Sequence, residues 1–290
     1  MLSICAAALA TTLVFSQEDA RFAFDRASEL VTLCTPRDAG TLRGRMAANM
    51  IASQLTPLGV NPTLDVFTAQ TPEGKRLFTN VIAEFPAKED SKDWIILVSH
   101  YDTKRGVQCP GANDGASTSG LLIAFARLLA SGKTSCAVNI ALMWLDGEEC
   151  FERYSENDGL WGSRYAAAKL AKSARGVRAV ICLDMLGDAD LDISIPYNST
   201  PSLAACALRA AKNAGIEHRV HKMRELVKDD HLPFLREGFP AIDLIDFEYG
   251  SEPGLNDYWH TRYDTMAHVS EDSLCISGRL VANMIEELQN

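Results

Sequence analysis

AVNIALMWLDGEE, running from Ala137 to Glu149, is the stretch whose reading decides the fold. Val138, Ile140, Leu142, Trp144 and the residues between them form a near-continuous apolar run. Such a run, bounded by turn residues, reads as a strand buried on both faces. It stops abruptly at Asp146-Gly147-Glu148-Glu149. Adjacent carboxylates at the end of a buried strand are costly unless a cation or a proton is held there. The carboxyl ends of strands are also where an open α/β sheet receives its ligands. Taken alone, Gly-Glu-Glu could equally be a polar turn; the flanking chain decides between the two.

Upstream, WIILVS (94–99) is a second fully buried strand, halting at His100-Tyr101-Asp102. A glycine-rich loop, Pro110 to Ser117, then opens a helix through Leu121–Leu129. Earlier still, Glu18–Gly59 carries helical periodicity closed by Pro57-Leu58-Gly59. Strands at Leu64–Thr68 and Leu77–Phe85 flank Thr71-Pro72-Glu73-Gly74, a hairpin signal. Downstream, Gly162–Ala171 reads as helix, Val177–Met185 and Asp190–Ile195 as strands, and Ser202–Asn213 as helix. Pro233–Arg236 adds a short turn of helix, Ala241–Asp246 a strand, and Glu271–Leu288 the closing helix, after an irregular loop over Tyr249–Thr265. Strands alternating with helices predict the α/β class: a single three-layer α/β/α domain over residues 18–290. Its central sheet is expected to be mixed and mostly parallel, with the antiparallel hairpin at one edge.

Bulk properties narrow the function. A net charge of −10 and the absence of a basic patch argue against nucleic acid as a partner. Leu2–Phe15 is apolar but short for a transmembrane span, so no stable membrane insertion is expected. Small residues follow it near Ser16. This predicts a signal peptide over residues 1–17 and a secreted or periplasmic enzyme, although no Lys or Arg precedes Arg21. Of the eight cysteines, Cys5 would leave with that leader. The other seven are scattered and contain no CxxC pair, which disfavours a structural zinc ribbon and leaves room for one disulfide.

Five polar clusters fall where strands end or in the loops beyond them: His100/Asp102, Asp114, Glu148/Glu149, Asp184 and His260. In a parallel sheet those ends are neighbours in space. Two imidazoles with three or four carboxylates converging there have the composition of a zinc site with nitrogen and oxygen ligands.

These same segments, His100-Tyr101-Asp102, Gly111-Ala112-Asn113-Asp114-Gly115-Ala116, Asp146-Gly147-Glu148-Glu149, Leu183-Asp184-Met185 and Tyr258-Trp259-His260-Thr261, resemble in order the M28-type zinc exopeptidases. Within that superfamily the chain looks most like the glutaminyl-peptide cyclotransferases. The resemblance implies that Asp114, Glu149 and His260 bind zinc and that Glu148 is the general acid/base. It makes His100 and Asp184 possible ligands of a second metal and Asp102 the partner that orients His100. Three features point to the cyclases. The segment Asp146–Ser163 resembles their extended loop, with Tyr154 where animal enzymes carry a pocket-lining Trp. Lys228-Asp229-Asp230-His231-Leu232-Pro233-Phe234-Leu235 is similar to a cyclase run whose first Asp, here Asp229, joins a proton network with Glu148 and Asp184. Trp259 matches a residue covering the small substrate ring. Two departures stand out: the 111–116 loop is of the aminopeptidase-like or bacterial type, and Ser99 and Ser119 stand where animal cyclases have a disulfide.

The implied reaction is cyclisation of N-terminal glutamine on peptides or proteins, with release of ammonia and one Zn2+ bound. The competing reading is an aminopeptidase with two zinc ions, in which Glu148 activates water. A non-catalytic peptide-binding module is a third reading, and it requires a missing ligand or base, whereas none is missing. His231 has an open reading between a role behind the site and a structural one. Trp94, Trp144 and Trp161 are expected to pack, and His218, His221 and His268 to be solvated.

Overall fold

The computed structural model describes residues 12–134 and 136–289. Strands β1 (Thr63–Thr71), β2 (Gly74–Phe85), β3 (Asp93–His100), β4 (Asn139–Leu145), β5 (Gly176–Asp184), β6 (Ile193–Ile195), β7 (Val220–Lys222) and β8 (Ala241–Ile245) form one sheet. Their order is β1-β2-β4-β3-β5-β8-β6-β7. The central β4-β3-β5-β8 block is parallel. The β1–β2 hairpin joins it antiparallel through β2 and β4. At the other edge β6 meets β8 antiparallel and β7 parallel, so the sheet is mixed as the hairpin predicted, with a second antiparallel pairing at the edge opposite it. Sequence periodicity did not reveal β7, since three residues with only Val220 buried give no pattern to read.

Period-two alternation sorts the central strands into two cores. Ile95, Leu97, Ile140, Leu142, Ile181 and Leu183 face helices α1 (Gln17–Cys34), α2 (Leu42–Leu55), α3 (Thr118–Ala130), α5 (Pro201–Asn213) and α7 (Glu271–Gln289). Ile96, Val98, Ala141, Met143, Val180 and Cys182 face α4 (Trp161–Leu170) and α6 (His231–Arg236). With both faces covered, β4 is buried along its whole length, as its near-continuous apolar run predicted. Trp144 is fully buried, with its indole N–H donating to the Ser119 carbonyl at 3.0 Å. Trp161 stacks on Phe78 and meets Phe151 edge-on.

The start of the packed chain differs from expectation. Residues 1–11 of the predicted leader lie outside the described residues. Leu13 and Phe15, however, are 3% and 1% exposed, and the Phe15 ring lies 5.0 Å from that of Phe125. Ser16 caps α1 in a reciprocal box with Asp19. Cleavage at Ser16–Gln17 would remove two core side chains and this cap, so the packed fold reaches upstream of the predicted boundary at residue 18. No helix among the described residues is long and apolar enough to cross a membrane. The seven cysteines from Cys34 to Cys275 are buried and free. At the place of the animal-type disulfide, the Ser99 hydroxyl donates to Thr118 at 2.8 Å and the Ser119 hydroxyl to the His100 carbonyl at 3.1 Å.

Phe15→Ala is expected to lower the unfolding free energy by about 3–5 kcal/mol, the usual cost of emptying a core aromatic site. Urea denaturation of the two proteins measures it, and a loss under about 1 kcal/mol would show that this segment does not belong to the core.

Candidate active site

The carboxyl ends of β3, β4 and β5 place His100, the Asp146–Glu149 turn and Asp184 side by side. The glycine-rich loop after β3 brings Asp114 over them, and the long loop after β8 returns His260. His260 Nε2 lies 2.7 Å from Glu149 Oε1 and 3.4 Å from Asp114 Oδ2. His100 Nε2 lies 3.1 Å from Asp114 Oδ1 and 3.2 Å from Asp184 Oδ1. Two adjoining donor groups result, Asp114/Glu149/His260 and His100/Asp114/Asp184, each with its ligand atoms within 4.8 Å of one another and with Asp114 common to both. Glu149 Oε2 is buried and accepts no hydrogen bond; it faces the Lys104 ammonium at 3.5 Å. A nitrogen-and-carboxylate set with an unsatisfied buried oxygen fits zinc.

Main-chain geometry holds these groups in place. Gly115 has φ +89°, and a Cβ there would come within 2.9 Å of the His100 ring, so the close approach of loop to imidazole needs glycine. His260 itself is left-handed at φ 57°, with its ring stacked 3.9 Å from that of Trp259. A residue held at positive φ without being glycine is a sign of tertiary constraint.

Asp102 does something the resemblance did not imply. Its carboxylate accepts the main-chain N–H groups of Gly147 (2.9 Å), Glu148 (3.2 Å) and Glu149 (3.2 Å). Its separation from His100 Nδ1 is 3.6 Å, longer than a hydrogen bond. Asp102 therefore shapes the turn carrying Glu148 and Glu149 first, and neighbours His100 second.

Arg37 and Asp264 escaped the sequence reading. Arg37 is wholly buried, and its guanidinium donates to the carbonyls of Tyr101, Pro110 and Gly111. Asp264 accepts the main-chain N–H groups of Asn113 (2.7 Å) and Asp114 (3.2 Å) and the Tyr249 hydroxyl (2.9 Å). A buried cation thus grips one side of the Asp114 loop and a buried carboxylate the other. Both act through backbone groups, and only the spacing of Asp264 four residues beyond His260 could have drawn attention to it.

A cavity of about 290 Å³ opens beside the donor groups, lined by Glu148, Asp184, Asp229, Tyr154, Trp259 and Phe247 among others. Burial, reinforced by the Glu149 charge, pushes Glu148 well above the ordinary carboxyl range. Burial and the Asp229 charge lift Asp184 to about 7, against the pull of His100. Burial also opposes protonation of His100, yet the Asp102, Asp114 and Asp184 carboxylates outweigh it and raise the imidazole. A divalent cation would relieve this crowding of negative charge. His231 is absent from the cavity lining. It is buried behind it, with Nδ1 3.7 Å from Asp243 Oδ2 and Nε2 3.0 Å from the Asn198 amide, and burial pulls it down to about 4.

The model for Peptidase family M28 matches residues 80–285, most of the chain. The chain belongs to that family. It is 34% identical to a glutaminyl cyclase from an Acidobacteriales bacterium, covering 98% of both chains with a TM-score of 0.88. The glutaminyl-peptide cyclotransferase-like protein of Bos taurus is 28% identical over 89% of this chain and 73% of its own. A leucine aminopeptidase precursor from Bacteroides thetaiotaomicron is 25% identical over 96% of this chain and 99% of its own, with a TM-score of 0.81. The fold is thus shared by proteins of both names, and the cavity residues have to distinguish them.

Three outcomes are expected. Metal-stripped protein should unfold at a higher temperature at pH 6.5 than at pH 8. Carboxyls such as Asp184 and Asp246, lifted by burial to about 7, take up protons in the folded chain while the unfolded chain binds none there. Saturating zinc should reverse the trend, because ligands bind metal deprotonated; calorimetry at the two pH values checks both. Asp264→Asn should weaken zinc binding at least about tenfold by loosening the Asp114 loop, as metal-supporting residues commonly do. Chelator competition reads this directly, and an unchanged affinity would show that the carboxylate is dispensable to the donor group.

Proposed function

We propose that the chain is a zinc-dependent glutaminyl-peptide cyclotransferase that converts N-terminal glutamine of peptides to pyroglutamate and releases ammonia. The observation carrying this reading is the cavity wall: Glu148, Asp184 and Asp229 line the same small space as Tyr154 and Trp259, directly beside Asp114, Glu149 and His260. The identity with a glutaminyl cyclase over nearly the whole chain supports it.

Zinc held by Asp114, Glu149 and His260 would supply a Lewis acid for the side-chain amide oxygen. The remaining chemistry falls to the chain's own groups. The cavity folds the glutamine side chain back toward its α-amine, so attack is intramolecular and positioning supplies much of the acceleration. The amine nitrogen bonds to the amide carbon and gives up a proton to Glu148. As the bond to the amide nitrogen breaks, Glu148 returns the proton there, and ammonia leaves. This shuttle suits a carboxyl whose affinity for protons is raised by burial, as that of Glu148 is. His100 holds one oxygen of Asp184 at 3.2 Å, and Asp184 and Asp229 would share protons around Glu148. Trp259, stacked on His260, would cover the forming ring.

A second reading draws on the His100/Asp114/Asp184 group. Those donors would suit a second zinc, and with it Glu148 would activate water in an aminopeptidase. Purified zinc enzyme incubated with Gln- and Leu-initiated peptides separates the two by mass spectrometry. Loss of ammonia from the Gln peptide alone is the expected result, and release of N-terminal residues with two zinc ions per chain would overturn it. Glu148→Gln is expected to retain zinc and lose about 10²- to 10⁴-fold in kcat, the range for a general acid/base. Full activity in that variant would remove Glu148 from the mechanism.

A further inference from the structure

Tyr154 lines the cavity, at a position where the resemblance implied nothing more than an aromatic wall. Its hydroxyl, however, donates to the Glu148 carboxylate, lying 2.8 Å from Oε1 and 2.9 Å from Oε2. A tryptophan at this place, as in the animal cyclases, has no hydroxyl to make that bond. The loop carrying Tyr154 is built to hold the phenol there. Asp158 is buried and accepts three successive main-chain N–H groups, from Phe151 (2.6 Å), Glu152 (2.8 Å) and Arg153 (2.9 Å). Arg164 grips the carbonyls of Ser155 and Glu156 from the other side. Gly159, at φ +81°, lies so close beneath the ring that a Cβ would come within 2.7 Å of Tyr154 Cδ1. The Lys104 ammonium lies 6.0 Å from the ring centre and donates to the Cys150 carbonyl, tying the start of the loop to the same region.

We propose that Tyr154 is a positioning residue for the acid/base: its hydroxyl fixes the plane of the Glu148 carboxylate through the reaction, a task additional to forming the pocket wall. The inference rests on the assignment of Glu148 as the group that moves the proton, and it holds for either substrate class. In cyclisation the amine nitrogen loses a proton to Glu148, the new C–N bond forms, the amide C–N bond breaks and the same proton leaves with ammonia. The phenolic proton is neither consumed nor transferred. A hydrogen bond touching both carboxylate oxygens keeps the group from turning toward Glu149 while it receives and returns that proton. Because it acts on the step and not on the affinity, its loss is read in kcat.

The test compares wild type with Tyr154→Phe, which keeps the ring and removes only the hydroxyl. It uses whichever peptide the wild-type enzyme consumes, so an error in the substrate assignment shows in the wild-type products and leaves the comparison intact. Zinc content and unfolding temperature are measured alongside. The expected result is a fall in kcat of about ten- to a hundredfold, the worth of one hydrogen bond to a charged group. KM should stay within about twofold and zinc content should be unchanged, with the unfolding temperature lowered by no more than several degrees and the protein fully folded at the assay temperature. Asp158→Asn, which loosens the loop, should lower kcat in the wild-type background and have little further effect in Tyr154→Phe, since both act through the same contact. An unchanged kcat, a rise in KM larger than the fall in kcat, or an activity loss that tracks zinc or folded protein would each reduce Tyr154 to a wall residue and overturn the proposal.

Discussion

Asp114, Glu148, Glu149, Asp184, Asp229, Asp230 and Asp243 are all buried at or behind the carboxyl ends of the central strands, with the imidazoles of His100, His260 and His231 among them. That density of negative charge is the constraint to which the surrounding structure answers. An isolated carboxylate in such a place would take up a proton. Several of these do lean that way: burial lifts Glu148, Asp184, Asp230 and Asp243, and the mutual repulsion of neighbouring carboxylates adds to it. Asp114 goes the other way, with His100 outweighing the cost of its burial. Groups of the same chemical kind are thereby shifted in opposite directions by position alone, which suits acid/base chemistry beside a metal.

The fold answers the charge largely with main-chain dipoles. Asp102 collects three N–H groups of the Glu148–Glu149 turn, Asp264 two from the Asp114 loop, and Asp158 three from the loop of Tyr154. Each of these aspartates is buried. Charge-assisted bonds of this sort are among the stronger ones available inside a protein, and each also fixes a loop. Arg37 completes the scheme from the opposite side by binding carbonyls. The result is that side chains facing the cavity are left free for chemistry, while a layer of charged residues behind them sets where they stand.

The two parallel readings of M28 activity meet at Asp114, which is shared by both donor groups. Geometry alone accommodates either metal count. The features that favour cyclisation lie outside the donor set, in the aromatic wall of Tyr154 and Trp259 and in Asp229, which line the small cavity beside it.

Much of this was legible in the sequence. Near-continuous apolar runs at 94–99 and 138–145 specified strands covered on both faces, because only such strands can bury residues of either parity. Polar residues placed directly after such strands had to meet, because parallel strands end at a common edge; hence His100, Glu148, Glu149 and Asp184 could be named together, while Asp114 and His260, which sit in loops, were joined to them by the family resemblance. Other features were not. The upstream limit of the packed chain was hidden because Leu13 and Phe15 belong to an apolar segment that has the same composition as a leader. The work of Arg37, Asp264, Asp158 and Asp102 was invisible because their partners are backbone groups, which every residue carries and no sequence pattern marks. The hydroxyl of Tyr154 could be read as part of an aromatic wall, but its aim at Glu148 was set by a loop held through Asp158 and Gly159. Side-chain periodicity is written locally and determined the sheet, and the motifs at its strand ends and in the loops beyond suggested which residues to bring together; the distances between loops depend on contacts far apart in the chain, and those only the folded protein decided.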